Sequence, residues 1–284
     1  MSLPASTLKP ARRVTLATWV LRLAVAGHCL AMAWLWIRSN SPINTILYIH
    51  WGWAESTAHM VDRTAGWCFV LAAFVAVIRP TWWAMGPVAA WTFLVAWAIR
   101  ADHPGDPYQQ WAPVGQAARY ACPVALMLLW PAVRTPLNAR RSEITLWVLR
   151  VATSATFVLH GLKALWADPN FIDLIIGTGR NLVGAEISEA GATTALKVIG
   201  IVDLAVAALL VLRRWCAVAA WMAIWGLLTA ASRMTAMGTE AWTETAARLA
   251  NGALPLALLL LWWRCRQPGP TTPARTPDGK TSIG

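Results

Sequence analysis

Asp203 stands in the run Ile199-Gly200-Ile201-Val202-Asp203, inside a long apolar stretch where a carboxylate has no water to meet. A charge at the centre of a bilayer costs at least about 2.5 kcal/mol on insertion scales, so such a residue needs a partner or a task. Arg150, His160, Lys163, Lys197, Arg233, Arg248 and Asn251 also fall within or at the ends of apolar stretches in the same half of the chain. An acid, an imidazole and several cations in one membrane region suit hydrogen bonding to a carbonyl or the holding of an anion. At about 1.5 Å per helical residue, the depths of Asp203 and Arg150 differ by about 6 Å, which makes them the expected buried pair.

Each of these residues also has a plainer reading. Lys163, Lys197, Arg233 and Arg248 have stems long enough to snorkel to the headgroups, and His160 can simply bond to a neighbouring helix. Asp203 is too short to reach water from mid-membrane. The N-terminal half offers fewer such groups, namely Arg22, His28 and Arg119.

The elements that must position these side chains are helices in lipid. Of the 284 residues 57% are hydrophobic and 13% charged, about half the charged fraction of a soluble domain, and the mean hydropathy is +0.49. Lipid offers no partner for a free backbone amide, so repeated apolar runs of about 20 residues are expected to be transmembrane helices. They fall near 15–37, 62–78, 82–99, 113–133, 144–166, 192–212, 215–232 and 243–263, which predicts an all-α integral membrane protein of eight spans. The first run, preceded by Lys9, Arg12 and Arg13, is too long for a signal peptide and lacks a clear cleavage site. Twenty tryptophans against three tyrosines fit a chain with two membrane interfaces.

With alternating spans, most Lys and Arg fall on the side of the two termini and nearly all the acids on the other. The positive-inside rule then makes both termini cytoplasmic. The net charge of +11 is thereby explained by topology, with no basic patch for nucleic acid. Cys29, Cys68, Cys122, Cys216 and Cys265 form no CxxC and no metal spacing with His, so no metal site is expected. The connection at 167–191 carries Asn170-Phe-Ile-Asp-Leu-Ile-Ile-Gly-Thr-Gly-Arg180, apolar enough for a short amphipathic helix in the interface. The Pro-, Thr- and Gly-rich tail, 265–284, is expected to be disordered.

The chain reads as one four-helix unit written twice. Trp19-Val20-Leu21-Arg22 recurs as Trp147-Val148-Leu149-Arg150, 128 positions on, and Ala117-Ala118-Arg119 as Ala246-Ala247-Arg248, 129 positions on. This divides the chain into a cytoplasmic segment 1–14, a first unit 15–134, a basic linker 135–143, a second unit 144–264 and the tail. Two units of even span number share one orientation, giving two parallel four-helix bundles. Alignment on the arginines sets Met32 opposite His160 and Leu35 opposite Lys163, and Gly66 against Gly200 sets Phe69 opposite Asp203. The polar site is therefore expected in the C-terminal bundle.

Arg150, then His160-Gly161-Leu162-Lys163, then Gly200-Ile201-Val202-Asp203 followed by an alanine-leucine helix resemble the DoxX family of four-helix bacterial membrane proteins. The likeness covers about 120 residues from Thr145; the first half matches only through the repeat, and Asp203 stands where the family more often has Glu. The resemblance implies a bacterial cytoplasmic (inner) membrane protein. Arg150, His160, Lys163 and Asp203 would then line a polar pocket, in a family associated with quinone-linked oxidation and membrane redox complexes.

Three functions compete at this stage. A membrane subunit of a redox system would hold quinone, whose carbonyls need donors, and pass electrons to it or to a redox partner protein, since no haem pair, iron–sulfur cysteine set or nucleotide motif is present. A permease for a small anionic solute would use the cations as a vestibule. A non-catalytic scaffold would use the polar residues for helix packing, worth about 0.6 kcal/mol per interhelical hydrogen bond. Enzymatic activity and oligomeric state are not legible in the sequence.

Overall fold

The computed structural model describes residues 10–133 and 138–263. The first nine residues, part of the basic linker, the expected tail and Cys265 lie outside the described residues. The described chain contains helices and no strand. Among the described residues six helices are long and apolar enough to cross a membrane, and seven if one bent pair counts as a single span.

The long helices follow the apolar runs. They are α1 (Pro10–Arg38), α3 (Glu55–Ile78) and α4 (Trp82–Asp102) in the first half, and α7 (Ala139–Leu165), α9 (Glu189–Leu212) and α10 (Cys216–Met237) in the second. Between α1 and α3 lies the short α2 (Pro42–Thr45), and between α7 and α9 the longer α8 (Pro169–Val183). Their outward faces carry Leu71, Phe74, Ile78, Trp83, Ile201 and Leu212, all more than half exposed. That much contiguous apolar surface is at home in lipid and costly in water.

The expected spans at 113–133 and 243–263 are both broken. The first divides into α5 (Ala112–Gly115) and α6 (Ala117–Leu129) at Gln116, and the second into α11 (Trp242–Ala247) and α12 (Ala250–Trp262) at Arg248–Leu249, with a 48° bend in the second. Pro123 and Pro255 lie inside α6 and α12. Proline withholds an N–H from the carbonyl four residues back and crowds it, which weakens the helix on its N-terminal side, where both breaks fall. As a result α6 is a 13-residue apolar helix, shorter than a spanning run.

The two halves do not form separate cores. One continuous cluster of buried apolar side chains runs from Ala17 and Leu21 through Leu126 and Leu149 to Leu254 and Trp262. Within it α1 packs on α12, and α6 packs on α7, so the last helix of each half lies against the first of the other. His28 on α1 contacts the Ala247 carbonyl at the α11–α12 break through Nδ1 (3.2 Å). Thr156 on α7 accepts from the Ala118 amide just past the α5–α6 break (3.0 Å).

Pairwise contacts repeat across the halves. Gly66 of α3 lies against Ile37 and the Ala33 carbonyl, and Gly200 of α9 against Leu165 and the Gly161 carbonyl. The Arg22 guanidinium sits over Trp19 (4.6 Å) and Trp130 (4.1 Å), and that of Arg150 over Trp147 (4.5 Å) and Trp262 (5.6 Å). Each arginine donates to carbonyls in the last turn of its neighbour, Arg22 to Val77 and Arg150 to Leu210 and Val211. The last four carbonyls of a helix have no partner within it, and a cation there also meets the negative end of the helix dipole.

Asp62, which the sequence sets at the outer boundary of a span, is buried inside α3. Its carboxylate accepts from the Ser41 amide (2.7 Å) and hydroxyl (2.5 Å), and Ser41 in turn caps α2 through the Ile43 and Asn44 amides. Removing a buried acceptor of two hydrogen bonds should cost about 1–3 kcal/mol. Asp62→Ala is thus expected to lower the unfolding midpoint in detergent by several degrees, while Glu55→Ala on the exposed start of the same helix leaves it unchanged.

Candidate functional site

The second half encloses a cavity of about 480 Å³. Its walls come from four elements: Phe157 and His160 of α7; Phe171, Leu174, Ile175 and Thr178 of α8; Leu196, Ile199 and Asp203 of α9; and Trp225, Thr229 and Arg233 of α10. Arg248 and Asn251, at the α11–α12 break, close the remaining side. Among the side chains singled out in the sequence, the cavity gathers His160, Asp203, Arg233, Arg248 and Asn251.

Local folding explains how they converge. Gly161 and Gly200 let α7 and α9 touch backbone to backbone, since a Cβ on Gly200 would stand 2.7 Å from the Gly161 carbonyl oxygen. That contact brings Asp203, one turn further along α9, beside the His160 turn of α7. Gly226 does the same for α10 against the Asn251–Gly252 backbone. The bend at Arg248–Leu249 turns Arg248 and Asn251 to the same space. The amphipathic segment expected at 167–191 is α8, capped by Asp168 at its start and by Gly184 (φ 64°) at its end. It lies along α10, where Thr178 pairs with Thr235 (3.0 Å) and Asn181 donates to the Thr235 and Ala236 carbonyls.

Three buried polar atoms here have no hydrogen-bond partner among the described residues: Asp203 Oδ1, Asn251 Oδ1 and Arg233 Nε. Asp203 and Asn251 are only 4% and 5% exposed. Trp225 lies beside the Asp203 carboxyl group. The His160 ring meets Phe171 edge-on at 5.9 Å, and the Arg233 guanidinium lies 5.7 Å from the same ring. Arg248 is paired with Glu244 one turn before it. Buried polar groups are normally satisfied, and these unpaired atoms lie in the wall of an otherwise apolar cavity.

Other residues named from the sequence lie elsewhere. Arg150 makes no ion pair with Asp203; it reaches the last turn of α9, about 10 Å further along at about 1.5 Å per residue, where free carbonyls wait. Lys163 faces Asp168 at 3.9 Å, and Lys197 is exposed. Arg22 is the structural counterpart of Arg150. His28 and Arg119 line a smaller cavity of about 200 Å³ in the first half, with Met32, Trp36, Thr92 and Glu244. Phe69, three residues after Gly66 as Asp203 is after Gly200, packs edge-on against Trp36 at 4.8 Å.

Trp225, Phe171 and Glu244 join the site without having been singled out. Trp225 is one of twenty tryptophans and carries no mark of its own. The residues of α8 did carry a signal: Phe171, Leu174, Ile175 and Thr178 have the i, i+3, i+4, i+7 spacing of a helix face with something to cover. Among the described residues no cluster of three His, Cys, Asp or Glu side chains could hold a metal ion.

Comparison with known proteins finds no matching family model, no matching curated protein and no matching solved structure.

Proposed function

We propose that this chain is a duplicated, DoxX-like protein of the bacterial cytoplasmic membrane that binds a quinone in its second half, as the membrane subunit of a quinone-linked redox system. In this reading it has eight spans, the broken pairs α5–α6 and α11–α12 each counting as one, with both termini cytoplasmic. The matched arginine cages and matched glycine contacts of the two halves support the duplication. Divergence then left a small cavity of about 200 Å³ in the first half and a larger, mainly apolar one of about 480 Å³ in the second.

The observation that carries the ligand reading is the pair of orphaned oxygens, Asp203 Oδ1 and Asn251 Oδ1, facing an otherwise apolar cavity. The residues present suit a quinone headgroup. His160 can donate to a carbonyl oxygen, Asp203 and Asn251 can accept from the hydroxyls of the reduced form, and the apolar faces of α8 and α9 suit an apolar tail. A bound quinone would supply two-electron carriage. The protein's share is to orient the ring, exclude water and offer a proton-exchanging carboxyl group at Asp203, while a redox partner would deliver or take up the electrons.

Native mass spectrometry with lipid extraction on gently purified protein tests this. One quinone per chain is expected in the wild type, with a loss of about tenfold or more in occupancy for Asp203→Ala, as suits the loss of a charged or strongly polar contact. Quinone absent from the wild type, or held equally by a folded Asp203→Ala, would move the weight to a permease or a packing scaffold.

A further inference from the structure

Beyond the headgroup contacts, three arginines from three different helices converge where the two halves of the chain meet. Arg233 (α10) and Arg248 (α11–α12 break) line the large cavity, and Arg119 (α6) lines the small one. Glu244 joins the two spaces, since it lines the small cavity and pairs with Arg248 of the large one. The three guanidinium groups and Glu244 act on one another electrostatically.

The charges there do not balance. Glu244 is spent on Arg248, whose Nη1 donates to both its carboxylate and its backbone carbonyl. Arg119 reaches only the neutral Gln116 side chain, through Nη1 at 3.2 Å. Among the described residues none accepts a hydrogen bond from Arg233, its Nε is buried without a partner, and its one neighbour of note is the Phe171 ring. Asp168, which also acts on Arg233, faces Lys163 at 3.9 Å, so the three guanidinium groups and Glu244 are left with two positive charges between them. Desolvated charges persist only when paired, and fork-shaped guanidinium groups pair best with oxyanions that present several oxygens at once.

We infer that Arg119, Arg233 and Arg248 form a binding site for a phosphate-type oxyanion, held at the junction of the two halves and separate from the headgroup contacts of Asp203 and Asn251. The phosphate can be that of an anionic lipid or a free ion. The ligand ties α6 of the first half to α10 and α12 of the second, so it stabilises the junction as well as neutralising it.

The test uses the full chain in nanodiscs, with binding read by native mass spectrometry and by the thermal midpoint. Two probes separate the sources: phosphatidylglycerol in a phosphatidylcholine bilayer, and inorganic phosphate added to phosphatidylcholine nanodiscs. One saturable ligand per chain and a rise in midpoint are expected from at least one probe; phosphatidylglycerol alone would identify a lipid, inorganic phosphate a free ion. Arg233→Gln should weaken binding by about tenfold or more and Arg233→Lys by less, because Lys keeps the charge and loses the fork. Should Arg233→Gln fail to fold, Arg119→Gln tests the same site from the other half. No saturable binding of either probe to the wild type overturns the inference, as does wild-type affinity in the folded glutamine variants. Asp203→Ala separates it from the quinone reading: phosphate binding is expected to survive there, whatever becomes of the quinone.

Discussion

Gly200→Ala is expected to destabilise the protein by about 2–3 kcal/mol, the cost of forcing a methyl group into a filled interface, and to distort the large cavity. The Cβ would stand 2.7 Å from the Gly161 carbonyl oxygen and 3.1 Å from the Leu165 amide nitrogen. Both are backbone atoms of a neighbouring helix, so neither can swing aside, and α9 must part from α7. The same displacement carries Asp203 away from His160. Gly66→Ala at the matching crossing of the first half meets mainly the Ile37 side chain, at 2.7 Å, with the Ala33 carbonyl 3.4 Å away. A side chain can rotate, so about 1 kcal/mol is expected there. Gly86→Ala, with nothing within 4 Å of its added methyl, serves as control. Thermal unfolding in detergent should rank the three as Gly200, then Gly66, then Gly86. Gly200→Ala melting with Gly86→Ala would mean that the α7–α9 crossing does not hold the fold.

The long helices were legible because each is an unbroken apolar run, and α1, α4, α9 and α10 begin and end within a few residues of the expected bounds. Other boundaries slipped for identifiable reasons. The start of α3 at Glu55 lies seven residues before the expected one, because Glu55, His59, Asp62 and Arg63 make its first two turns look like a loop. Pro123 and Pro255 were visible, yet where each would break its helix depends on packing that periodicity does not encode. The cluster of His160, Asp203, Arg248 and Asn251 was foreshadowed because polar residues in apolar runs are conspicuous. Depth along a helix says nothing of azimuth, however. Lys197, six residues before Asp203, points outward while Asp203 points in.

The partner of Arg150 went unread for a related reason. Arithmetic on depths matches a cation with the nearest anion, whereas the guanidinium has the competing choice of a helix end whose carbonyls are already unpaired. Arg150→Leu should therefore cost about 2–4 kcal/mol, since it strips charge-assisted bonds from the Leu210 and Val211 carbonyls and leaves that of Leu210 buried. Arg150→Lys should recover little of this, because one ammonium cannot span two carbonyls while lying flat against Trp147. The decisive measurement is a double-mutant cycle with Asp203→Ala. The last turn of α9 is about 10 Å from Asp203, so the two substitutions should add to within about 0.5 kcal/mol. A coupling well above about 1 kcal/mol would restore the ion pair and remove Asp203 from the cavity's free valences. Arg22→Leu offers the internal comparison: among the described residues Arg22 reaches only the Val77 carbonyl, at 3.0 Å, and its Nε and Nη2 are buried without partners. Its loss should cost less than that of Arg150, although the two arginines sit in matching tryptophan cages.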